Sequence, residues 1–276
     1  MTDRVWLITG ASSGFGQAIA EAALADGDTV VATARRPEAL KEFAGAHPDR
    51  VLALPLDVTD TAAIAAVVDE VQRRYGRIDV VVNNAGRGHI GAAEEATEAE
   101  LRGLMDLHFF GPAALTRAVL PLMRQRGTGA IVQMSSMGGR FSFPGVGAYS
   151  ATKFALEGLS QALAQEVAPF GIKVLIVEPG AFRTSFAGGA LTHSPAIDAY
   201  QGTVGAIRSA LPSSDGTQPG DPAKAAAAIL AALDADETPL RLPLGTDAAD
   251  AILADLERSQ QEFRTWENVT RGTDFD

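Results

Sequence analysis

The chain is 276 residues long, 46% hydrophobic and 21% charged, with a formal net charge of −11 and no cysteine. This composition gives a soluble protein a sizeable core and excludes a disulfide framework or thiolate metal centre. It also argues against a nucleic-acid partner, which needs surplus Lys and Arg against phosphate.

The first predicted element is a strand over residues 5–9, an apolar run that stops at a glycine-rich turn. The turn holds Gly10, Ser12, Ser13, Gly14, Phe15 and Gly16 and opens into a predicted helix over 16–25. Glycines there allow a tight turn and a close backbone approach to a ligand. The helix N-terminus then offers free N–H groups and a positive dipole end, so the combination reads as a phosphate cradle. The spacing is Gly-x-x-x-Gly-x-Gly, not the commoner Gly-x-Gly-x-x-Gly. No signal-peptide succession comes before the strand and no apolar run is long enough to span a bilayer. The expected setting is therefore the cytoplasm, with no membrane partner.

Further short apolar runs predict strands at 29–33, 51–56, 79–82, 130–135 and 173–178, with helices at 61–75, 98–125 and 149–169 between them. Such runs suit strands buried on both faces. The alternation predicts an α/β fold: a doubly wound parallel sheet built from right-handed crossovers. In dinucleotide-binding sheets an acidic side chain after the second strand holds the ribose hydroxyls. Here Arg35 and Arg36 follow that strand, and Asp28 lies at its wrong end. Guanidiniums there would bind a 2′-phosphate where a carboxylate would repel it, which favours NADP(H) over NAD(H). At the end of the third strand Asp57 and Val58 can reach the adenine edge, although Asp57 could equally cap the next helix.

Three further clusters end predicted strands: Asn83-Asn84-Ala85-Gly86, Ser135-Ser136, and Pro179-Gly180-Ala181-Phe182-Arg183-Thr184. Carboxyl ends of strands are where open α/β sheets bind ligands. Downstream of Ser136, Tyr149 and Lys153 stand four residues apart and so share a helix face. In the loop between Ser136 and Tyr149, Phe141 and Phe143 are equally candidates for a pocket wall or plain core. His47, His89 and His193 have no second ligand at useful spacing, so no metal is expected. His89 could line a cleft or sit on an exposed loop. Glu157 reads as a solvated or interface side chain. Beyond Thr184, residues 185–222 read as a substrate lid containing a possible helix at 195–210 and a loop at 211–222. Residues 223–276 form a C-terminal extension, with helices at 223–233 and 247–267 and a last strand at 239–244.

Taken together, these motifs resemble the short-chain dehydrogenase/reductase family from Arg4 to about Thr184. The resemblance implies a single Rossmann-like domain over 1–276 and reversible hydride transfer between a nicotinamide and a ketone, aldehyde or alcohol. It implies that Tyr149 exchanges a proton with the substrate oxygen and that Ser136 hydrogen-bonds that oxygen. Lys153, together with the positive nicotinamide of the oxidised cofactor, would lower the Tyr149 pKa, and it would hold the nicotinamide ribose. Asn83, Asn84, Ala85 and Gly86 would shape the middle of the cofactor site, and Pro179, Gly180, Phe182 and Thr184 its nicotinamide end. Where the family normally carries Asn this chain has His108, read either as a structural histidine or as the holder of a proton-relay water. Phe141, Phe143, Val146 and Phe182 favour a lipophilic substrate. The resemblance also suggests a homodimer or homotetramer, with residues 115–122 and 155–163 as interface or as monomer core. The alternatives are a nicotinamide-binding sensor and a redox-neutral epimerase or dehydratase on the same fold.

Overall fold

The computed structural model describes residues 3–275. The chain runs β1 (Val5–Thr9), α1 (Gly14–Ala25), β2 (Thr29–Ala34), α2 (Lys41–Ala46), β3 (Val51–Pro55), α3 (Thr61–Tyr75), β4 (Val80–Asn83), β5 (Gly88–Ile90), α4 (Glu98–Met105) and α5 (Gly111–Arg126). It continues through β6 (Gly129–Met134), α6 (Gly147–Val167), β7 (Ile172–Pro179), β8 (Leu191–His193), α7 (Gln201–Ser213), α8 (Pro222–Asp234), β9 (Arg241–Leu244) and α9 (Thr246–Arg271).

Seven strands form one sheet in the order β3-β2-β1-β4-β6-β7-β9, with every neighbouring pair parallel. The strand order reverses beside β1, the switch point at which such sheets open a crevice. Both faces of the sheet are covered, as the continuous apolar runs predict. Alternate residues of β1 divide between them: Trp6 and Ile8 pack with α1 and α8, Val5 and Leu7 with α3, α5 and α6. Buried Asp28, ahead of β2, accepts from the Arg4 side chain at 2.9 Å and the Trp6 indole at 2.7 Å. It is therefore a tie at the amino end of the sheet, away from the strand ends that carry the glycine turn.

The expected helix over 98–125 is two helices joined by a π-helical turn at Asp106–Phe110. Pro112 accounts for the break. It has no N–H to continue the ladder, so the backbone registers by one residue more before α5 begins. Gly111 meets the loop after β3 so closely that a Cβ there would lie 2.6 Å from the Val58 carbonyl oxygen. Residues 185–222 are more ordered than their composition predicts. Strand β8 pairs in parallel with β5, three residues each, too short for alternation to show in the sequence. Helix α7 starts at Gln201, later than expected, and runs through Pro212 into the stretch read as a loop.

Candidate active site

A cavity of about 610 Å³ runs along the carboxyl ends of β1, β2, β4, β6 and β7, from Arg35 at one end to Tyr149 and the lid at the other. The glycine turn forms its floor. Gly10 and Gly14 take φ of +64° and +56°, conformations L side chains avoid. A Cβ on Gly16 would lie 2.4 Å from the Gly10 carbonyl oxygen. Asn84 holds this turn in place by donating from Nδ2 to the carbonyls of Thr9 (2.8 Å) and Gly10 (3.1 Å). The Thr9 hydroxyl accepts from the backbone N–H groups of Asn84 and Ala85. Asn83, in contrast, is buried and donates to Gln133 at 2.9 Å. Thr184 lies over the turn, against Gly14, and Phe182 stacks on Phe15 with ring centroids 5.0 Å apart.

Arg35 and Arg36 are exposed, line the cavity, and make no ion pair among the described residues. Asp57 faces the same cavity. Hydrogen bonds from Thr59 hold its carboxyl below the usual range, with the Arg35 charge a lesser cause. The capping role open to Asp57 falls to Asp60, which accepts from Ala62 and Ala63 at the start of α3. The residues fit a dinucleotide. A backbone cradle no side chain could enter, free helix N–H groups and two unpaired guanidiniums share one cavity.

At the other end of the cavity, Tyr149 is 9% exposed, and Ser136 lines the same end of the cavity. Ser136 caps the turn Met137–Gly139, accepting from Gly138 at 3.0 Å; its neighbour Ser135 is turned inward and buried. The Lys153 ammonium lies 5.7 Å from the centre of the Tyr149 ring and donates to the Met134 carbonyl at 2.7 Å. Burial lowers its pKa to about 8. The expected lowering of the tyrosine is absent in the free protein. Desolvation pushes the phenol up to about 12, and the neighbouring Ser136 side chain only partly offsets this.

His108 lies in the π-helical turn, almost wholly buried, with its ring edge-on to Tyr149 at 5.5 Å. Its Nε2 accepts from the Arg87 backbone N–H at 3.1 Å. The Thr152 hydroxyl donates to the Tyr149 carbonyl, so it accepts from His108 Nδ1–H at 2.9 Å. Both ring nitrogens are thus engaged by protein, and neither is left for a water. Burial, with Lys153 and Arg87 nearby, holds the pKa well below its ordinary value.

Other candidates sort by burial. Phe143, Val146 and Phe182 line the cavity, and Phe141 lies outside its lining. His89 is no exposed loop residue. It is buried at the cavity wall, its nitrogens 3.1 Å from the Thr192 hydroxyl and 3.0 Å from that of Ser194. Glu157 is not solvated either, being buried and paired with Arg241 at 3.0 Å. Sequence reasoning missed Phe186, whose ring meets Tyr149 edge-on at 5.6 Å, and Gln218, a buried side chain at the lid end. Neither belongs to a spaced motif, and an aromatic in a loose polar stretch was the only signal. Among the described residues no His, Asp or Glu cluster comes together that could hold a metal, and no helix is long and apolar enough to cross a membrane.

A parallel sheet with this strand order, a glycine cradle at the switch point and a Ser-Tyr-Lys cluster at the far end define a nicotinamide-dependent oxidoreductase of the α/β type. The short chain dehydrogenase family profile matches residues 4–194, and the chain belongs to that family. Its members bind a nicotinamide cofactor and act on C=O and CH–OH groups. Over 248 residues the chain is 43% identical to Oxidoreductase BOA17 of Botryotinia fuckeliana, covering 90% of each. It is 45% identical to 3-ketodihydrosphingosine reductase of Bacteroides thetaiotaomicron over 67% of this chain and 66% of that protein. The crystal structure of a short-chain dehydrogenase from Streptomyces avermitilis superposes with a TM-score of 0.95 at 60% identity, covering 99% of this chain and 100% of the other.

Proposed function

We propose that the protein is an NADP(H)-dependent reductase of lipophilic ketones or aldehydes, able to run in reverse on secondary alcohols. The carrying observation is that buried Tyr149 lines one cavity with Ser136, with Lys153 5.7 Å from its ring, and with Arg35 and Arg36, which make no ion pair among the described residues.

When bound, the cofactor supplies or accepts the hydride. Ser136 and Tyr149 together hold the substrate oxygen. As hydride reaches the carbonyl carbon, Tyr149 gives its proton to that oxygen, and a phenol at about 12 holds its proton at neutral pH until the oxygen becomes basic. Lys153 stabilises the resulting phenolate; its own pKa of about 8 keeps it mostly charged at neutral pH. In the oxidising direction the same groups act in reverse, with the cofactor's positive ring favouring the phenolate.

The end of the cavity at Tyr149 presents Phe143, Val146, Phe186, Ile207 and Leu211, with His89, Thr192 and Gln218 as polar groups among them. It supports a hydrophobic substrate, as does the similarity to a protein named for reducing a long-chain ketone. The preference for NADPH rests on the arginine pair.

The test follows nicotinamide absorbance with NADPH against a panel of lipophilic ketones and aldehydes, with Tyr149→Phe alongside. Turnover should fall by about 10²-fold or more in the variant while NADPH binding persists. Tight NADPH binding without turnover on any member would instead favour a sensor or a redox-neutral enzyme.

A further inference from the structure

Helix α9 is attached only at its root. Asp247 accepts from the Ala181 backbone N–H at 2.7 Å, and Ala248 and Ile252 are buried against the body. No residue of the helix beyond Ile252 is buried, yet it continues to Arg271. Leu256, Phe263 and Trp266 follow Ile252 by 4, 11 and 14 positions. At 3.6 residues per turn they extend the stripe that the body buries at the root. On the arm this stripe is open, with Leu256 48%, Phe263 52% and Trp266 60% exposed. A projecting helix with no tertiary contact is marginal in water and gains its stability from burying an apolar face.

We propose that this face pairs with a second copy of the same chain. Three observations favour that occupant. Ile252, Leu256, Ser259, Phe263, Trp266 and Thr270 alternate spacings of four and three, the seam by which one helix packs along another. A two-fold axis brings the identical seam from the second copy. The arm also carries little net charge, with Asp255, Glu257, Glu262 and Glu267 against Arg258, Arg264 and Arg271, on a chain of net charge −11. Two acidic copies can therefore meet here with little repulsion, whereas membrane surfaces and nucleic acids select helices with a Lys and Arg surplus. Finally, within the segments 115–122 and 155–163 the apolar residues Leu115, Val119, Leu156 and Leu163 are buried within one chain, and Leu120, Leu122 and Leu159 are half-buried, whereas the arm's stripe is open along its length. The proposal is independent of the catalytic reading.

Sedimentation velocity of the full-length protein across a concentration series tests it. The wild type should form a dimer, and Phe263→Glu should weaken it by at least tenfold while circular dichroism and NADPH binding stay as in the wild type. The chain has no cysteine, so Ser259→Cys on the seam should form a covalent dimer under oxidation, and Gln261→Cys on the opposite side should not. A wild type that stays monomeric, or a dimer indifferent to Phe263→Glu, overturns the proposal. So does binding of the monomer to phosphatidylcholine vesicles through the same face, since the occupant would then be lipid.

Discussion

Arg35 contributes its charge to the cavity rather than to the fold, because no carboxylate among the described residues claims it. An Arg35→Asp variant should therefore keep its stability and lose its preference between cofactors. One charge-assisted contact to a 2′-phosphate is worth about 1.5–3 kcal/mol, so the NADPH-to-NADH ratio of kcat/KM should fall by roughly 10- to 100-fold. An unchanged ratio would sink the assignment of the phosphate. His108 presents the opposite case, a titratable group whose bonds leave it nothing to titrate with. Protonating Nε2 would break its bond from the Arg87 N–H. The pH profile of kcat/KM should therefore keep the same shape near neutrality in His108→Phe, while the variant melts at lower temperature because buried Thr152 and Arg87 groups lose a partner. A limb near neutrality that vanishes in the variant would restore the relay. The sequence could name His108 as a departure, but only its neighbours 21 and 44 residues away show what the ring does.

The elements behind the catalytic cluster are joined by a buried ionic group. Glu178 at the end of β7 meets Arg140 at 3.1 Å and Arg241 of β9 at 3.3 Å, and Arg241 also holds Glu157 of α6. Burial and the charge of Glu157 outweigh the two arginines and raise the Glu178 pKa to about 7. A carboxyl whose folded pKa exceeds its unfolded value stabilises the fold most below the unfolded pKa, near 4.3, and loses that contribution as pH rises through about 7. Melting curves of the wild type and Glu178→Gln should therefore diverge between pH 5 and 8, the wild type losing ground as pH rises. Parallel curves would mean that the pair stays ionised throughout. No part of this group could be read from the sequence, since its members come from four separate segments. The strands could be read, because a run buried on both faces announces itself as continuous apolar sequence. The break in the helix over 98–125 was masked: its apolar periodicity runs on across Pro112, and only the backbone register changes.

For the whole molecule, the division between what was legible and what was not follows the sheet. The motifs that line the cavity at the strands' carboxyl ends could be read, because Gly10, Asn84, Ser136 and Thr184 stand at fixed offsets from apolar runs. The stretch 185–222 was assigned to the substrate end by position alone. Its inner wall is set by contacts across long stretches of chain, such as β5 with β8 and Phe186 with Tyr149. The substrate-facing half of the cavity is thus the part least fixed by local pattern. It is also the part in which two relatives could share the Ser-Tyr-Lys chemistry and differ in what they reduce.

The chain carries two tryptophans, and they report on different things. Trp6 is sealed under the sheet with its indole bonded to Asp28, and Trp266 stands 60% exposed on the arm of α9. The first should emit in the blue and resist iodide; the second should emit in the red and be quenched while the arm is unpaired, and shift to the blue when a second copy covers it. Two built-in fluorophores therefore separate the melting of the core from events along the arm, in one unlabelled sample.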